Sequence, residues 1–214
     1  MGFDAGYGIG SVKPGVCTSS TRPGSPFDGQ VIYETDTNVV SVYDGAAWAT
    51  VGPSAAGGLV FITAQTIGSA VSSVPVPDVF SSTYDNYKIM LSGGTGSVND
   101  DDIAMILGAT TAGYFAAYTG ASYAAVSTIN GNNNVSSWTR VGSVFTDGLY
   151  LDIDLLGPNL AKRTRINGVA VYENNARPFG GVLKNTTVYT AFTITPASGT
   201  LTGGTIRVYG YQNS

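Results

Sequence analysis

Short runs of strand-like residues follow one another from Leu59 to the end of the chain, separated by Gly, Asn, Ser and Pro. One face of each run is apolar at 87–91, 151–155 and 205–209. A period of two predicts half-buried strands, and no window keeps a period of 3.6 over three turns without a glycine. The pattern therefore predicts an all-β chain with an antiparallel, jelly-roll-like β-sandwich. The candidate strands are 59–67, 70–76, 86–92, 103–108, 113–118, 135–145, 149–155, 164–172, 188–194 and 204–211.

The N-terminal quarter has a different pattern, which predicts a separate organisation. Residues 1–29 are rich in Gly and Pro and hold few large apolar side chains, so we expect an extended arm that lies against a partner. Residues 30–52 contain two β-branched and aromatic runs around the turn-forming sequence at 35–38, which predicts a hairpin with Trp48 folding back over it. Residues 53–58 are a predicted linker, and 59–214 form the predicted sandwich domain.

The segment 109–134 is low in complexity and rich in Ala, Ser, Thr and Asn, so we expect surface loops there. Aromatic residues lie in or near these loops. Exposed rings of this kind fill protein interfaces or stack on sugars, and of these two uses the sequence favours packing between chains. The aromatic residues are Tyr114, Phe115, Tyr118, Tyr123 and Trp138.

The composition of the chain excludes several classes of function. Only 11% of the 214 residues are charged, against roughly 25% in an average soluble domain. The chain has no histidine, which excludes Ser-His-Asp and Cys-His catalysis and His-ligated metals. A net charge of −4 argues against nucleic acid as a partner, and the single cysteine, Cys17, cannot form an intrachain disulfide. No apolar run is long enough to span a bilayer and no secretory signal is visible, so we expect a protein made in the cytoplasm and not inserted in a membrane.

Three groups of acidic residues could carry chemistry. The cluster 99–102 (NDDD) could bind a hard cation, although it lacks the spacing of a calcium loop and is more typical of a solvated turn. Asp152 and Asp154 share one strand face, as a glycosidase pair could, but their alternation with apolar residues favours the wet side of a half-buried strand. Glu34 and Asp36 lie at the end of the predicted hairpin, where acids are common. We therefore expect no catalytic residues, no resident metal and no cofactor.

The remaining chemical signals are weaker. The basic cluster at 162–165 (KRTR) could bind a phosphate, an acidic sugar or a partner's carboxylates, but charged residues often protect a strand edge from unwanted pairing. The glycine-rich sequences at 6–10 and 93–96 have neither the lysine of a phosphate-binding loop nor a following helix, which argues against a nucleotide site.

Residues 15–37 (GVCTSSTRPGSPFDGQVIYETDT) and 43–48 (YDGAAW) resemble a segment of tailed-bacteriophage virion proteins. In those proteins the pattern TRP-x-SP-x-x-GQ-x-IYETDT leads into a short β-ribbon that ends in YDG-x-x-W. The sequences at 84–89 and 203–211 are similar, more loosely, to the C-terminal β-domains that accompany this segment. The segment is specific for phage virions, but it does not define the position within the particle.

The resemblance implies a non-enzymatic structural protein of the virion, a homotrimer that also contacts other virion proteins. Two positions remain open: a tail or baseplate fibre that touches the host surface, including its glycans, or a capsid decoration or head-fibre protein anchored to the shell. A glycan-degrading enzyme is the less favoured third reading. The expected attachment and oligomerisation residues are Pro23, Pro26, Phe27, Tyr33, Tyr43 and Trp48, and the expected host-surface contacts are Tyr118, Tyr123 and Trp138.

Overall fold

The computed structural model describes residues 14–51 and 58–213, and these contain strands, turns and loops but no helix. The predicted all-β class is confirmed. The chain divides into two units, residues 1–56 and 57–214. The predicted linker at 53–58 lies outside the described residues except for Gly58, and so do the first thirteen residues of the predicted arm.

The N-terminal unit is a four-stranded sheet in the order β1-β2-β3-β4, built around the predicted hairpin. The hairpin closes over residues 35–38, where Asn38 adopts a positive φ of 56°, a conformation that asparagine tolerates better than most residues. The sequence places residues 15–17 in an extended arm, but they form a strand that pairs in parallel with β2. The strands are β1 (Gly15–Cys17), β2 (Val31–Glu34), β3 (Val39–Tyr43) and β4 (Trp48–Val51).

The second unit is the predicted antiparallel sandwich. Its larger layer has eight strands in the order β5-β18-β7-β13-β14-β15-β10-β11, and its smaller layer has four, β6-β16-β9-β12. The strands are β5 (Leu59–Thr66), β6 (Val74–Val76), β7 (Asn86–Ser92), β8 (Thr95–Gly96), β9 (Asp101–Leu107), β10 (Tyr114–Ser122), β11 (Ser127–Val135), β12 (Trp138–Val144), β13 (Leu149–Leu156), β14 (Arg165–Val171), β15 (Asn175–Leu183), β16 (Phe192–Pro196), β17 (Leu201–Thr202) and β18 (Thr205–Tyr211).

Strand β13 joins the two layers. Its first three residues pair with the end of β12 in the smaller layer, and its second half pairs with β14 in the larger layer. Along the other edge, β13 pairs with β7 from Leu151 to Leu156. The inward residues of β13 alternate with outward ones as the sequence predicts, and Ile153 and Leu155 are fully buried.

One apolar core fills the space between the layers. Trp138 lies within it, with its ring edge-on to Tyr114 at a centroid distance of 5.0 Å. The indole Nε1 donates a hydrogen bond to the carbonyl oxygen of Phe115 at 3.3 Å. A side chain at Gly181 would place Cβ 2.7 Å from that Nε1, so glycine at this position lets the indole approach the β15 backbone.

Two strands fall where the sequence gives no strand pattern. The segment expected to form loops at 109–134 contains β10 and most of β11, which pair with each other, so the loop prediction was wrong. The candidate strand at 113–118 coincides with the first half of β10, whereas β11 has no predicted counterpart. Strand β15 (NARPFGGVL) was also missed, although it lies between β14 and β10 in the larger layer. Glycine and asparagine lower intrinsic strand propensity, and pairing with neighbouring strands outweighs that preference here.

Candidate functional site

The N-terminal sheet has one face that nothing in the unit's described residues covers well, called the open face below. Val16, Tyr33, Val40 and Val51 form a row across all four strands, one residue from each. Val16 is 60% exposed and Val51 is 54% exposed. A second row next to it adds Val31, Val42 and Ala49. The open face is therefore apolar from edge to edge.

The opposite face of this sheet holds the buried side chains of the unit. They are Ile32, Glu34 and Ser41, so Ile32 is the one buried hydrophobic residue among residues 14–51. Arg22 comes from the segment between β1 and β2, and its Nε lies 2.5 Å from the Glu34 carboxylate. A lone sheet with so little apolar burial is marginal in water.

Hydrogen bonds favour the charged form of three acidic side chains of this unit. The bond from Arg22, with a further one from the Thr37 hydroxyl, lowers the pKa of Glu34 below its ordinary value of 4.5. The hydroxyl and backbone N–H of Ser19 likewise lower the pKa of Asp36, and the backbone N–H groups of Ala47 and Ala46 lower that of Asp44. These acids serve the local structure.

The predicted attachment residues lie on different parts of the N-terminal unit. Tyr33 belongs to the open face and donates a hydrogen bond to Asn38 Oδ1 at 2.9 Å. Tyr43 and Trp48 are paired across β3 and β4 on the opposite face, with ring centroids 5.5 Å apart. Pro23, Pro26 and the 69%-exposed Phe27 lie in the segment between β1 and β2.

The structure corrects two of the three expected host-surface contacts. Trp138 is fully buried in β12 and Tyr118 is 1% exposed in β10, because both are core residues of strands and not members of loops. Tyr123 alone is exposed, at 67%, in the turn between β10 and β11. The sequence pattern did not reveal the burial of Tyr118, because the surrounding Ala, Ser and Asn residues hide the alternation of β10.

The side chains of the acidic cluster at 99–102 accept hydrogen bonds from separate groups of the same chain. Asn99 accepts from Thr146, Asp100 from the backbone of Glu173, and Asp101 from Ser198. Among the residues that the structure describes, no group of three or more acidic or cysteine side chains is placed to hold a metal ion.

Asp152 and Asp154 lie on the outer face of the larger layer, as expected for the wet side of a strand. Lys88 on β7 forms ion pairs with both. The Tyr211 hydroxyl donates a hydrogen bond to Asp154, and this bond raises the pKa of the phenol to about 12. The pair is therefore engaged with a cation and a hydroxyl. In the basic cluster at 162–165, Lys162, Arg163 and Arg165 are exposed and Thr164 is buried.

Two arginines meet a single carboxylate between the layers of the sandwich, an arrangement that sequence reasoning missed. Arg140 on β12 donates through Nε to Asp102 Oδ2 at 3.0 Å. Arg177 on β15 places Nη1 3.8 Å from Asp102 Oδ1, and its guanidinium lies over the Tyr172 ring, 4.2 Å from the centroid. The Tyr172 hydroxyl donates to Asp102 Oδ1 at 2.6 Å.

These arginines border a small cavity of about 140 Å³, called the arginine pocket below. Burial raises the pKa of the Tyr118 hydroxyl in its wall and, together with the Asp102 hydrogen bond, that of Tyr172 nearby, so both phenols are neutral donors. The lining residues are Tyr118, Gly120, Thr128, Asn130, Arg140 and Arg177. Arg140 and Arg177 are isolated in the sequence, and no local motif marks either of them.

Within the described residues, no helix has the length and apolar character to cross a membrane. Comparison with known proteins gives no relative: no protein-family model, no curated protein and no solved structure matches this chain.

Proposed function

We propose that this chain is a non-enzymatic structural protein of a tailed-bacteriophage virion, a homotrimeric tail or baseplate fibre exposed on the particle. The open face of the N-terminal sheet is the observation that carries the proposal. Its apolar row extends across four strands in a unit that buries a single hydrophobic side chain among its described residues. The resemblance to phage virion segments covers this same unit.

The physical argument for attachment follows from the size of this sheet. An isolated sheet of short strands buries little apolar surface to set against the entropy lost on ordering its backbone, so it is only marginally stable in water. Covering the open face with an apolar surface of another virion protein would supply the missing burial. We therefore assign the open face to attachment, with Phe27 as an exposed ring beside it in the same unit.

The larger layer of the sandwich offers a surface for contacts between copies. Its outer side exposes Phe61, Met90, Val169 and Val171, each between 42% and 56% accessible, and Ile129 at 86%. A groove of about 510 Å³ runs between Met90 and the two valines. Apolar sheet faces of this kind are unusual on monomers, and packing against further copies of the chain would cover them.

A structural role is also supported by how the acidic residues are used. Lys88 forms ion pairs with Asp152 and Asp154, and the Tyr211 hydroxyl also binds Asp154. Arg140 and the Tyr172 hydroxyl bind Asp102. These pairs hold strands and loops in place.

The test is to count this protein in purified particles by mass spectrometry, with the major capsid protein as the internal standard. A count of about six or twelve trimers would support the tail or baseplate assignment, on the closed symmetry expected of such assemblies. Tens to hundreds of copies would overturn that position in favour of a capsid decoration or head-fibre protein. Absence from intact particles would overturn the proposal as a whole.

A further inference from the structure

The arginine pocket carries an unbalanced charge. Arg140 and the Tyr172 hydroxyl each donate a hydrogen bond to one oxygen of Asp102. Arg177 approaches the same carboxylate only to 3.8 Å and donates no hydrogen bond to any described residue. Two guanidinium groups and one carboxylate leave one net positive charge at the pocket.

Asp102 and the Tyr172 ring, which lies 4.2 Å from the Arg177 guanidinium, offset part of the repulsion between the two arginines. Guanidinium groups that share one carboxylate repel each other, and a solvent-exposed site would screen this repulsion. Here the side chains of Arg140 and Arg177 are only 30% and 26% exposed, so screening is incomplete. An anion between them would offset the repulsion and accept hydrogen bonds from guanidinium N–H groups that make none to the described residues.

The size and charge of the pocket select the anion. The pocket, at about 140 Å³, has room for a carboxylate and the sugar-ring atoms next to it. A carboxylate carries a single negative charge, which equals the charge left over at the pocket. A phosphate monoester carries close to two near neutral pH and would leave a negative charge uncompensated.

The neutral wall of the pocket matches hydroxyl groups. The Thr128 hydroxyl makes no hydrogen bond to another described residue, and Asn130 uses its carbonyl oxygen on the backbone N–H of Gly131, which leaves its amide N–H groups free. Gly120 keeps this wall open, since a Cβ there would lie 2.8 Å from Thr128 Oγ1 and 3.1 Å from Arg177 Cγ. Hydroxyl and amide groups next to an arginine pair suit a sugar ring that bears a carboxylate.

We propose that the arginine pocket binds the carboxylate of an acidic sugar residue, so that the glycan recognised by the sandwich is a uronic-acid polymer. Arg140 and Arg177 hold the carboxylate, while Thr128 and Asn130 bind the adjoining ring hydroxyls. The inference deepens the proposed function and rests on it for its biological setting. The binding itself is a property of the isolated chain.

The experiment uses the full chain and isothermal titration calorimetry with a tetragalacturonate as the probe. Wild-type protein binds the tetragalacturonate, and the fully methyl-esterified tetramer binds at least about tenfold more weakly because a charged hydrogen-bonded contact is lost. Inorganic phosphate, titrated in competition, does not displace the tetramer at equal concentration. Equal binding of the esterified tetramer, displacement by equimolar phosphate, or no binding by wild-type protein would each overturn the inference.

Variants locate the binding. Arg177→Gln weakens tetragalacturonate binding at least about tenfold, whereas the matched control Arg163→Gln, which removes an exposed arginine from a loop, changes it less than about twofold. Thr128→Val, an isosteric change, weakens binding without removing a charge, and melting temperatures identify any unfolded variant. Equal effects of Arg177→Gln and Arg163→Gln would refute the site. The calorimetric measurement needs no phage particle, so the two proposals can fail separately. If the protein binds tetragalacturonate but is absent from virions, the proposed function is refuted and the binding site in the arginine pocket is not.

Discussion

Replacing Val16 and Val51 with threonine should detach the protein from the particle while leaving it folded. Both valines lie on the open face of the N-terminal sheet, in one row that also holds Tyr33 and Val40. Threonine is also β-branched and nearly the same size as valine, so strand propensity and shape are kept. The change exchanges a methyl group for a hydroxyl at each position.

The expected magnitude follows from the exposure of the two side chains. Burying one methyl group contributes about 0.8 kcal/mol, and about half of that remains to be gained at residues that are 60% and 54% exposed. Burying an unpartnered hydroxyl costs about 1 kcal/mol more. Each substitution should therefore weaken attachment by about 1.5 kcal/mol.

The two effects should add. Val16 and Val51 are separated by strands β2 and β3, which at about 4.8 Å per strand places them roughly 14 Å apart, beyond the range of direct coupling. The double variant should lose about 3 kcal/mol of attachment free energy, which is about a hundredfold in the dissociation constant. In the free protein the same side chains face water, so the free energy of unfolding should change by less than about 0.5 kcal/mol.

The assay is binding of purified protein to particles assembled without it, measured by sedimentation and quantification of the bound fraction. Val188→Thr is the matched control, because Val188 is 50% exposed in a loop of the sandwich. The control should bind like wild type. A dissociation constant of the double variant within about threefold of the wild-type value would refute the assignment of the open face. The assignment would also be refuted if Val188→Thr weakened attachment as much as the double variant does.

Three further changes test the rest of the structure. Trp138→Phe loses the hydrogen bond to Phe115 and leaves a small cavity, so the free energy of unfolding of the sandwich should fall by about 2 kcal/mol. Its melting temperature in calorimetry should fall by about 4–8 °C. An unchanged melting temperature would show that the indole does not organise the core. That variant leaves Trp48 as the one tryptophan, since the chain has two, and its fluorescence then reports on the N-terminal unit. Because the pKa of Glu34 is lowered in the folded unit, ionised Glu34 stabilises the unit fully above pH 4.5, and this stabilisation is lost as the pH falls through the lowered pKa. The fluorescence of Trp48 should therefore change in this acid range. A pH profile that Glu34→Gln leaves unaltered would contradict the role of the ion pair between Arg22 and Glu34. Trp48→Ala removes a ring pair worth about 1 kcal/mol and should reduce incorporation into particles while the melting of the sandwich stays the same; full incorporation would argue against Trp48 as an attachment residue.

The candidate surfaces differ in how far the sequence could reveal them. The hairpin around residues 35–38 is a local feature, so its alternation already separates Val31 and Tyr33 from Ile32. The apolar row of the open face needs β1 and β4 as well, and the pairing of Val16 with Tyr33 joins residues on either side of a long connecting segment. No local sequence pattern reveals the arginine pocket, because Arg140, Arg177 and Asp102 come from three strands that are distant in the sequence.

The sequence by itself determined the all-β class, the central hairpin and the strands whose apolar residues alternate, such as 86–92 and 205–211. These follow from short-range physics, since a period of two and the turn residues that bound it act within a few positions of each other. Only the tertiary structure decided that the glycine- and asparagine-rich segments at 127–135 and 175–183 are strands, and that Tyr118 and Trp138 are buried. Their conformation is set by neighbours supplied from elsewhere in the chain: the indole of Trp138 fits against β15 because Gly181 has no side chain, and no pattern local to either residue carries that information.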